Sequence, residues 1–178
     1  MMPGGHLATS LALGAGIYAA TRSVEMAAGS FLGGFLIDVD HYGDYLLFEK
    51  QWRRPAPADF LRYYFTFQLK RVVLPLHSIE LMGVLTVIAW FWPRPLLVGY
   101  LLGAGMHLLF DVLVNGDYAL KRKVLFYSFG YRAAKGFSAE ALMDKVVIDQ
   151  EAAQHPYRDF FRLRFPVYVK IAVGKLRK

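Results

Sequence analysis

Histidines and carboxylates interrupt the apolar segments of this chain at spacings that suit metal chelation. They form four groups: His6, the run Asp38-Val39-Asp40-His41, the stretch His77-Ser78-Ile79-Glu80, and the pair His107 and Asp111. Each of the last three groups contains two ionisable residues three or four positions apart, and such residues share one face of a helix. An ionisable side chain inside a membrane segment costs roughly 2.5 to 3.5 kcal/mol and usually faces a partner or a metal in the protein interior. The pattern therefore favours a polar cluster.

The chemistry of that cluster is restricted by the residue types available. Because the chain has no cysteine, any metal must take nitrogen and oxygen ligands, which suit zinc and also manganese or iron. The predicted metal ligands, enough for one or two divalent ions, are His6, Asp38, His41, His77, His107 and Asp111. Such a site could activate water for attack on a phosphoryl or carbonyl centre, with Asp40 or Glu80 relaying the proton.

Two apolar hairpins are predicted to position these residues. The first has short helices over residues 7–20 and 26–37, separated by a polar break at 21–25. The second has segments 72–92 and 96–114 on either side of Pro93-Arg94-Pro95, both near the roughly 20 residues that span a bilayer. Aromatic residues just before this turn are typical of a membrane interface. The fold class predicted is all-α, an integral membrane helical bundle built from two helical hairpins.

The depth of the polar residues along the hairpins indicates that they meet. His6 and Asp38 each lie fifteen residues from the first turn, taken as 21–23, or roughly 22 Å along a helix. His77, His107 and Asp111 lie twelve to sixteen residues from the second turn, or roughly 18 to 24 Å. Both hairpins open toward the segment that joins them. One shared cluster at that end is predicted.

The rest of the chain is predicted to lie at the membrane surface. Residues 1–116 form the membrane domain, with an interfacial segment at 42–71 that mixes tyrosines with basic residues, and residues 117–178 form a basic, mostly helical cytoplasmic or membrane-surface region. A helix is expected to begin after Ser138, a serine N-cap.

Charge and composition point to lipid as the partner. The chain is 56% hydrophobic with a net charge of +7, and its basic residues lie between and after apolar segments rather than along one face. This favours anionic lipid headgroups over nucleic acid. Basic residues are concentrated at the site end of the hairpins, whereas the opposite turns hold only Arg22 and Arg94. The positive-inside rule then places the site end and both termini in the cytoplasm, in a bacterial-type inner membrane.

The ordered motifs over residues 1 to about 116 resemble those of the YdjM-like membrane-bound metal-dependent hydrolases. The likeness is carried by His6 after two glycines, the run from Asp38 to His41, His77-Ser78, and His107 with Asp111. It implies a multi-helix membrane protein with a metal site and hydrolase activity. The chain departs from the family pattern at Ile37 and Leu76, where that family usually has proline and threonine.

Two functions remain open from the residues alone. The first is a metal-dependent hydrolase of an ester or phosphoester, such as a lipid head group or a small phosphorylated metabolite. The second is a non-enzymatic membrane protein whose cluster is a structural metal site or a polar packing core. Simpler roles also exist for single residues, since His6 could be solvated and Glu80 could pair with His77 or Arg71. Transport ranks below both, because the polar residues collect at one end of the hairpins instead of crossing the membrane depth.

Overall fold

The structure, a computed structural model, describes residues 2–114, 120–144, 146–147, 157, 160 and 169–170, and it is predominantly helical. Its helices are α1 (Pro3–Thr21), α2 (Val24–Gly34), α3 (Val39–Gly43), α4 (Pro57–Phe65), α5 (Ile79–Phe91), α6 (Pro95–Val114), α7 (Phe129–Ala134) and α8 (Ala139–Leu142). A short antiparallel pair joins β1 (Val146–Val147) to β2 (Val169–Lys170). The all-helical class is confirmed for residues 2–114. In the basic region, the described residues include the short helices α7 and α8 and this strand pair, and much of the predicted helical region lies outside the described residues.

Local signals account for the ends of the first hairpin. Pro3 occupies the first turn of α1, where its missing N–H costs nothing. Arg22 ends α1 in a left-handed conformation (φ 56°), and its N–H donates to the Tyr18 carbonyl. Ser23 then caps α2 by accepting a hydrogen bond from the Met26 N–H. The two predicted helices are therefore present, and the break between them is 22–23, one residue shorter at its start and two shorter at its end than the predicted 21–25.

A glycine seam joins α2 to α6. The two helices run parallel, because Gly29 lies against Leu96 and Tyr100 while Gly33 lies against Tyr100 and Ala104. A Cβ atom on either glycine would overlap backbone atoms of α6. In the same way, a Cβ atom on Gly99 or Gly103 would overlap backbone atoms of α2. The glycine seam therefore consists of Gly29, Gly33, Gly99 and Gly103. Small residues four apart allow helix backbones to approach this closely. The parallel arrangement puts both hairpin turns at one end and the predicted polar cluster at the other.

The second hairpin is shorter on one side than predicted. Ser78 caps α5 by accepting from the Leu81 N–H, so the helix begins only at Ile79. At 13 residues α5 is about 20 Å long, less than the roughly 30 Å hydrocarbon thickness. Pro75 lies in the irregular stretch 72–78, whose backbone is held by side chains of neighbouring elements instead of helical hydrogen bonds. The predicted span at 72–92 is therefore wrong over its first seven residues.

One helix in the described part of the chain, α6, is long and apolar enough to cross a membrane by its length and composition. A third of its apolar window (33%) is buried inside the protein. Helix α5 has no buried residue at all. Large apolar side chains are exposed on both helices, and at the end of α5 Trp90 and Phe91 are 82% and 81% exposed.

The buried apolar core lies beside the cluster and not between the hairpins. One part joins the stretch before α5 to the region after α6 through Val72, Leu74, Leu120, Phe126, Tyr127, Ala139 and Leu142. A smaller part packs Met2 against Leu61 and Phe65 of α4. At Ser138 the predicted helix start is confirmed, since its hydroxyl accepts from the Ala141 N–H and α8 follows.

Candidate metal centre

The structure brings all six predicted ligands to one place. They come from four parts of the chain: His6 from the first turn of α1, Asp38 and His41 from the bend after α2, His77 from the stretch before α5, and His107 with Asp111 from α6. They form two adjacent groups of three, whose ligand atoms within each group lie within 4.8 Å of one another. Four of the six, the imidazoles of His6, His77 and His107 and the carboxylate of Asp111, belong to buried residues.

The first group consists of His6, His107 and Asp111. The Asp111 carboxylate reaches both imidazoles: Oδ1 lies 3.0 Å from His6 Nε2, and Oδ2 lies 3.4 Å from His107 Nε2. The two rings stack with centroids 3.7 Å apart and planes at 15°. Stacking of this kind turns their Nε2 atoms toward the same carboxylate.

The second group consists of Asp38, His41 and His77. Asp38 Oδ1 lies 3.5 Å from His41 Nε2 and 3.4 Å from His77 Nε2. The same oxygen is also 3.4 Å from His107 Nε2 of the first group. Asp38 therefore lies between the groups, and its side chain is 24% exposed.

Hydrogen bonds at Nδ1 fix the tautomers of two imidazoles. His77 Nδ1–H donates to the Asp40 carboxylate at 2.9 Å, and His107 Nδ1–H donates to the Gly34 carbonyl at 2.7 Å. In their neutral forms both rings then carry a lone pair on Nε2. These two Nε2 atoms lie 3.1 Å apart and face each other. Two lone pairs at that distance repel, and either a proton or a metal ion between them removes the repulsion.

The geometry of the nitrogen and oxygen atoms fits a divalent metal. Ligand atoms at roughly 2.0 to 2.2 Å from a tetrahedral zinc lie about 3.3 Å from one another. The separations around Asp38 and Asp111 are 3.0 to 3.5 Å. The Nδ1 atom of His41, which does not face the other ligands, also has a partner, since it lies 2.6 Å from the Tyr64 hydroxyl. Among the Nδ1 atoms of the four candidate histidine ligands, that of His6 has no hydrogen-bond partner in the part of the chain that the structure describes.

Electrostatics at the second group favour positive charge. Burial lowers the pKa of His77, but the Asp40 charge and hydrogen bonds with Asp38 and Asp40 outweigh it and raise that pKa to about 9. Burial, reinforced by the neighbouring His77 charge, lowers the pKa of His41 to about 4. One imidazole of the group therefore remains neutral at physiological pH, and the carboxylates stabilise a cation at the other.

Carboxylates on the bend after α2 hold the stretch that carries His77. Asp40 Oδ2 accepts from the Leu76 and His77 N–H groups at 2.9 and 3.2 Å. Asp44 accepts from the Val73 N–H at 2.6 Å and from the next amide. Glu49 accepts from the Lys70 and Arg71 amides, both at 2.6 Å. The bend and the stretch are thus joined by side chain to backbone hydrogen bonds.

Arg132 of α7 holds the same stretch from the other side. Its guanidinium is fully buried (0% exposed) and donates to the carbonyls of Val73, Leu74, His77 and Phe126. Sequence reasoning missed Arg132 and Asp44, because their partners are backbone groups and all of them except Phe126 lie more than 25 positions away. It also placed Tyr64 only within the interfacial segment 42–71, with no role at the site. Only the spacing of the acids Asp40 and Asp44, four apart, could have suggested a shared face.

The structure shows the hydrogen bonds of Asp40 and Glu80, the candidate proton relays. Asp40 adjoins the site, but its oxygens accept from His77 and two amides, which makes it a positioning residue and not a free proton relay. Glu80 accepts hydrogen bonds from the Ser128 hydroxyl and the Phe129 and Gly130 amides. It therefore caps the start of α7, and its catalytic role stays a prediction.

A cavity of about 460 Å³ borders the ligands. Five of the six predicted ligands line it: His6, Asp38, His41, His77 and Asp111. A structural zinc site is closed by four protein ligands, whereas a catalytic site keeps an open position. The contact between ligands and cavity gives this centre room for a further molecule.

Comparison of the chain with known proteins found no matching family model, no matching curated protein and no matching solved structure.

Proposed function

We propose that this protein is a membrane-bound, metal-dependent hydrolase of an ester or phosphoester bond. His6, His107 and Asp111 would hold one divalent ion, and Asp38, His41 and His77 a second, zinc being the metal best suited to this donor set. A pair of divalent ions supplies Lewis acidity and an activated water for hydrolysis. The resemblance to the YdjM-like hydrolases agrees with this proposal.

One observation supports the metal above all others. The Nε2 atoms of His77 and His107 lie 3.1 Å apart. The Nδ1–H groups of the same rings donate to the Asp40 carboxylate and the Gly34 carbonyl. The raised pKa of His77 places a proton on this contact in the metal-free protein, and a divalent ion that binds both nitrogens would take the place of that proton. Nitrogen lone pairs that converge beside two carboxylates are the arrangement of a cation site.

The protein's own residues would perform three tasks in this reaction. Asp40, Tyr64 and the Gly34 carbonyl hold the imidazoles with Nε2 directed inward. Asp38, at the junction of the two groups, is the partly exposed carboxylate and the one best placed to contact a reacting group. The apolar cavity walls exclude bulk water, which strengthens electrostatic interactions at the centre.

Membrane insertion at the hairpins belongs to the same proposal. Helix α6 has the length and composition of a span, and α5 beside it exposes its apolar surface. Exposed Trp90 and Phe91 then lie at the membrane interface opposite the metal end, which faces the cytoplasm and the anionic headgroups of that leaflet.

Hydrolysis by the metal-loaded protein tests the proposal. Purified protein would be reconstituted with zinc or manganese and assayed on carboxylic ester and phosphoester substrates, with Asp38→Asn as the site variant and Asp59→Asn, an exposed carboxylate on α4, as the matched control. We expect turnover in wild type and Asp59→Asn and loss of it in Asp38→Asn. Bound metal without turnover on either substrate class would instead identify a structural metal site.

A further inference from the structure

The cavity beside the ligands has two chemically different parts. One part is formed by the candidate ligands themselves. The remainder is lined mainly by aliphatic and aromatic side chains, among them Phe35, Leu61, Leu69, Val72, Leu120 and Phe126. At about 460 Å³ the cavity falls within the roughly 300 to 1,000 Å³ of small-molecule sites.

The walls offer little to a sugar, nucleotide or other polar metabolite. Among the described residues that line the cavity there is no Lys, Arg, Ser, Thr, Asn or Gln. Apart from the ligands, the polar lining side chains are three tyrosines. The Tyr42 hydroxyl donates to the Pro55 carbonyl, and the Tyr64 hydroxyl contacts His41. The third tyrosine, Tyr127, is 4% exposed. A ligand with several hydroxyl groups would leave most of them without partners here, at a cost in affinity.

An alkyl chain meets no such cost. Burial of each methylene in an apolar environment corresponds to roughly fourfold tighter binding. The walls are also continuous with the cytoplasmic-leaflet side of the proposed membrane domain, since α4 and the bend after α2 contribute Phe60, Leu61, Val39 and Tyr42 to them. Lipid chains are the alkyl groups available at that depth.

We infer that the substrate is an amphiphile whose single alkyl or acyl chain occupies this cavity and whose ester or phosphoester group lies at the metal ligands. The inference rests on the proposed hydrolase function and selects a lipid over a small phosphorylated metabolite. In the reaction, water supplies an oxygen to the acyl or phosphoryl centre, the bond to the alcohol oxygen breaks, and the alcohol oxygen takes up a proton.

Chain-length dependence of binding tests this inference without turnover. Ethyl, hexyl and dodecyl phosphonate serve as probes, because a phosphonate resembles both a phosphoester and the tetrahedral intermediate of ester hydrolysis. Binding would be measured by thermal shift and calorimetry on protein in amphipol, free of detergent, with and without added zinc. We expect affinity to rise by at least tenfold from ethyl to hexyl phosphonate, with the further gain to dodecyl limited by the cavity volume.

Matched tryptophan variants locate the chain. Leu69→Trp fills the cavity wall, whereas Leu47→Trp places the same change on a side chain that is 71% exposed. Met143→Trp, on another wall residue, provides a second probe if Leu69→Trp does not fold. We expect the wall variants to lose at least tenfold in dodecyl phosphonate affinity while ethyl phosphonate binding and zinc content stay unchanged, and Leu47→Trp to match wild type.

The outcomes separate the inference from the function on which it rests. Equal affinity for all three probes, or equal losses in Leu69→Trp and Leu47→Trp, would overturn the alkyl-chain cavity even in a protein that binds zinc and hydrolyses short esters. Chain-length preference in a protein that neither binds metal nor turns over substrate would uphold the cavity and refute the hydrolase. Hydrolysis of a long-chain substrate faster than its ethyl counterpart would support both.

Discussion

Replacement of Asp40 by asparagine should exchange the donor and acceptor roles of the two ring nitrogens of His77. Asparagine has nearly the same shape as aspartate, so the packing at position 40 should not change. In wild type, Asp40 Oδ1 accepts from His77 Nδ1–H at 2.9 Å, while Oδ2 accepts from the Leu76 and His77 amides at 2.9 and 3.2 Å. An asparagine would direct its oxygen to the two amides and its NH₂ group to Nδ1. Nδ1 must then be the acceptor, so the ring proton moves to Nε2 and blocks the nitrogen that faces the metal site.

The loss of metal affinity expected in Asp40→Asn can be estimated from this geometry. Only one of the three ligands in the second group is affected, and the backbone hydrogen bonds to the loop are retained. Loss of such a supporting hydrogen bond typically costs 10- to 100-fold in metal affinity. At 1.4 kcal/mol per tenfold, this corresponds to about 1.4 to 2.8 kcal/mol of binding free energy.

Competition with a chromophoric chelator measures the affinity, and Asp44→Asn is the matched control. Asp44 is the same residue type four positions later and also accepts from amides of the 70–77 stretch, but it has no histidine partner among its hydrogen bonds. We expect Asp40→Asn to lose affinity and Asp44→Asn to retain it. Wild-type affinity in Asp40→Asn, or an equal loss in both variants, would refute the assignment of Nε2 as the ligand atom.

Four other predictions concern the parts of the fold that hold the site. Gly103→Ala should destabilise the protein by about 1 to 3 kcal/mol because its Cβ would overlap backbone atoms of α2, which a lower apparent Tm would report. Arg132→Met should lower both Tm and metal affinity, because each buried carbonyl that loses its donor costs about 1 to 3 kcal/mol. Tyr64→Phe should weaken metal binding less than Asp40→Asn does, since it removes the hydroxyl beside His41 but no charge. Burial raises the pKa of Asp44 from 3.8 to about 6, so the folded state binds that proton more tightly than the unfolded state does. The Tm of wild type relative to that of Asp44→Asn should therefore fall as pH rises from about 4 to about 6, and it should be constant at higher pH.

The changes at Gly103 and Tyr64 have matched controls that separate the cause from a general loss of stability. Gly105→Ala lies on the same helix with open space at its Cβ position and should be neutral or slightly stabilising. Tyr42→Phe removes a hydroxyl from the same cavity that has no histidine partner in its hydrogen bond, and it should leave metal affinity unchanged. If Gly105→Ala destabilised as much as Gly103→Ala, or Tyr42→Phe weakened metal binding as much as Tyr64→Phe, the positioning roles would be wrong. A Tm difference between wild type and Asp44→Asn that did not vary with pH would contradict the raised pKa.

The sequence predicted the convergence of the site because that convergence depends on distance along helices. His6, Asp38 and His107 lie at similar depths from their turns, and the rise of a helix per residue is fixed. The apolar character of each segment, the polar break at 21–25 and Pro93-Arg94-Pro95 were enough to place both hairpin turns. What brings the hairpins into parallel register, the fit of Gly33 and Gly103 against opposing backbone, could be suspected from the glycines but not located.

The parts that the sequence did not predict depend on long-range contacts of single side chains. Residues 72–78 are as apolar as a membrane helix, so hydropathy placed them in one. They are instead held as an irregular stretch by Asp44 and Arg132, whose partners are backbone groups. Glu80 was assigned to the site because it lies three positions after His77, yet α5 begins between them and directs Glu80 to α7. Helical spacing holds only where the helix is continuous.

Metal content per chain tests the central claim most directly. Elemental analysis of purified, zinc-reconstituted protein would compare wild type with His107→Ala and Asp111→Ala, using Gly105→Ala as the control on the same helix. We predict two ions per chain in wild type and in the control, and the loss of at least one ion in each site variant. A well-folded wild type that holds no metal after reconstitution would contradict the metal centre and identify the cluster as a polar packing core.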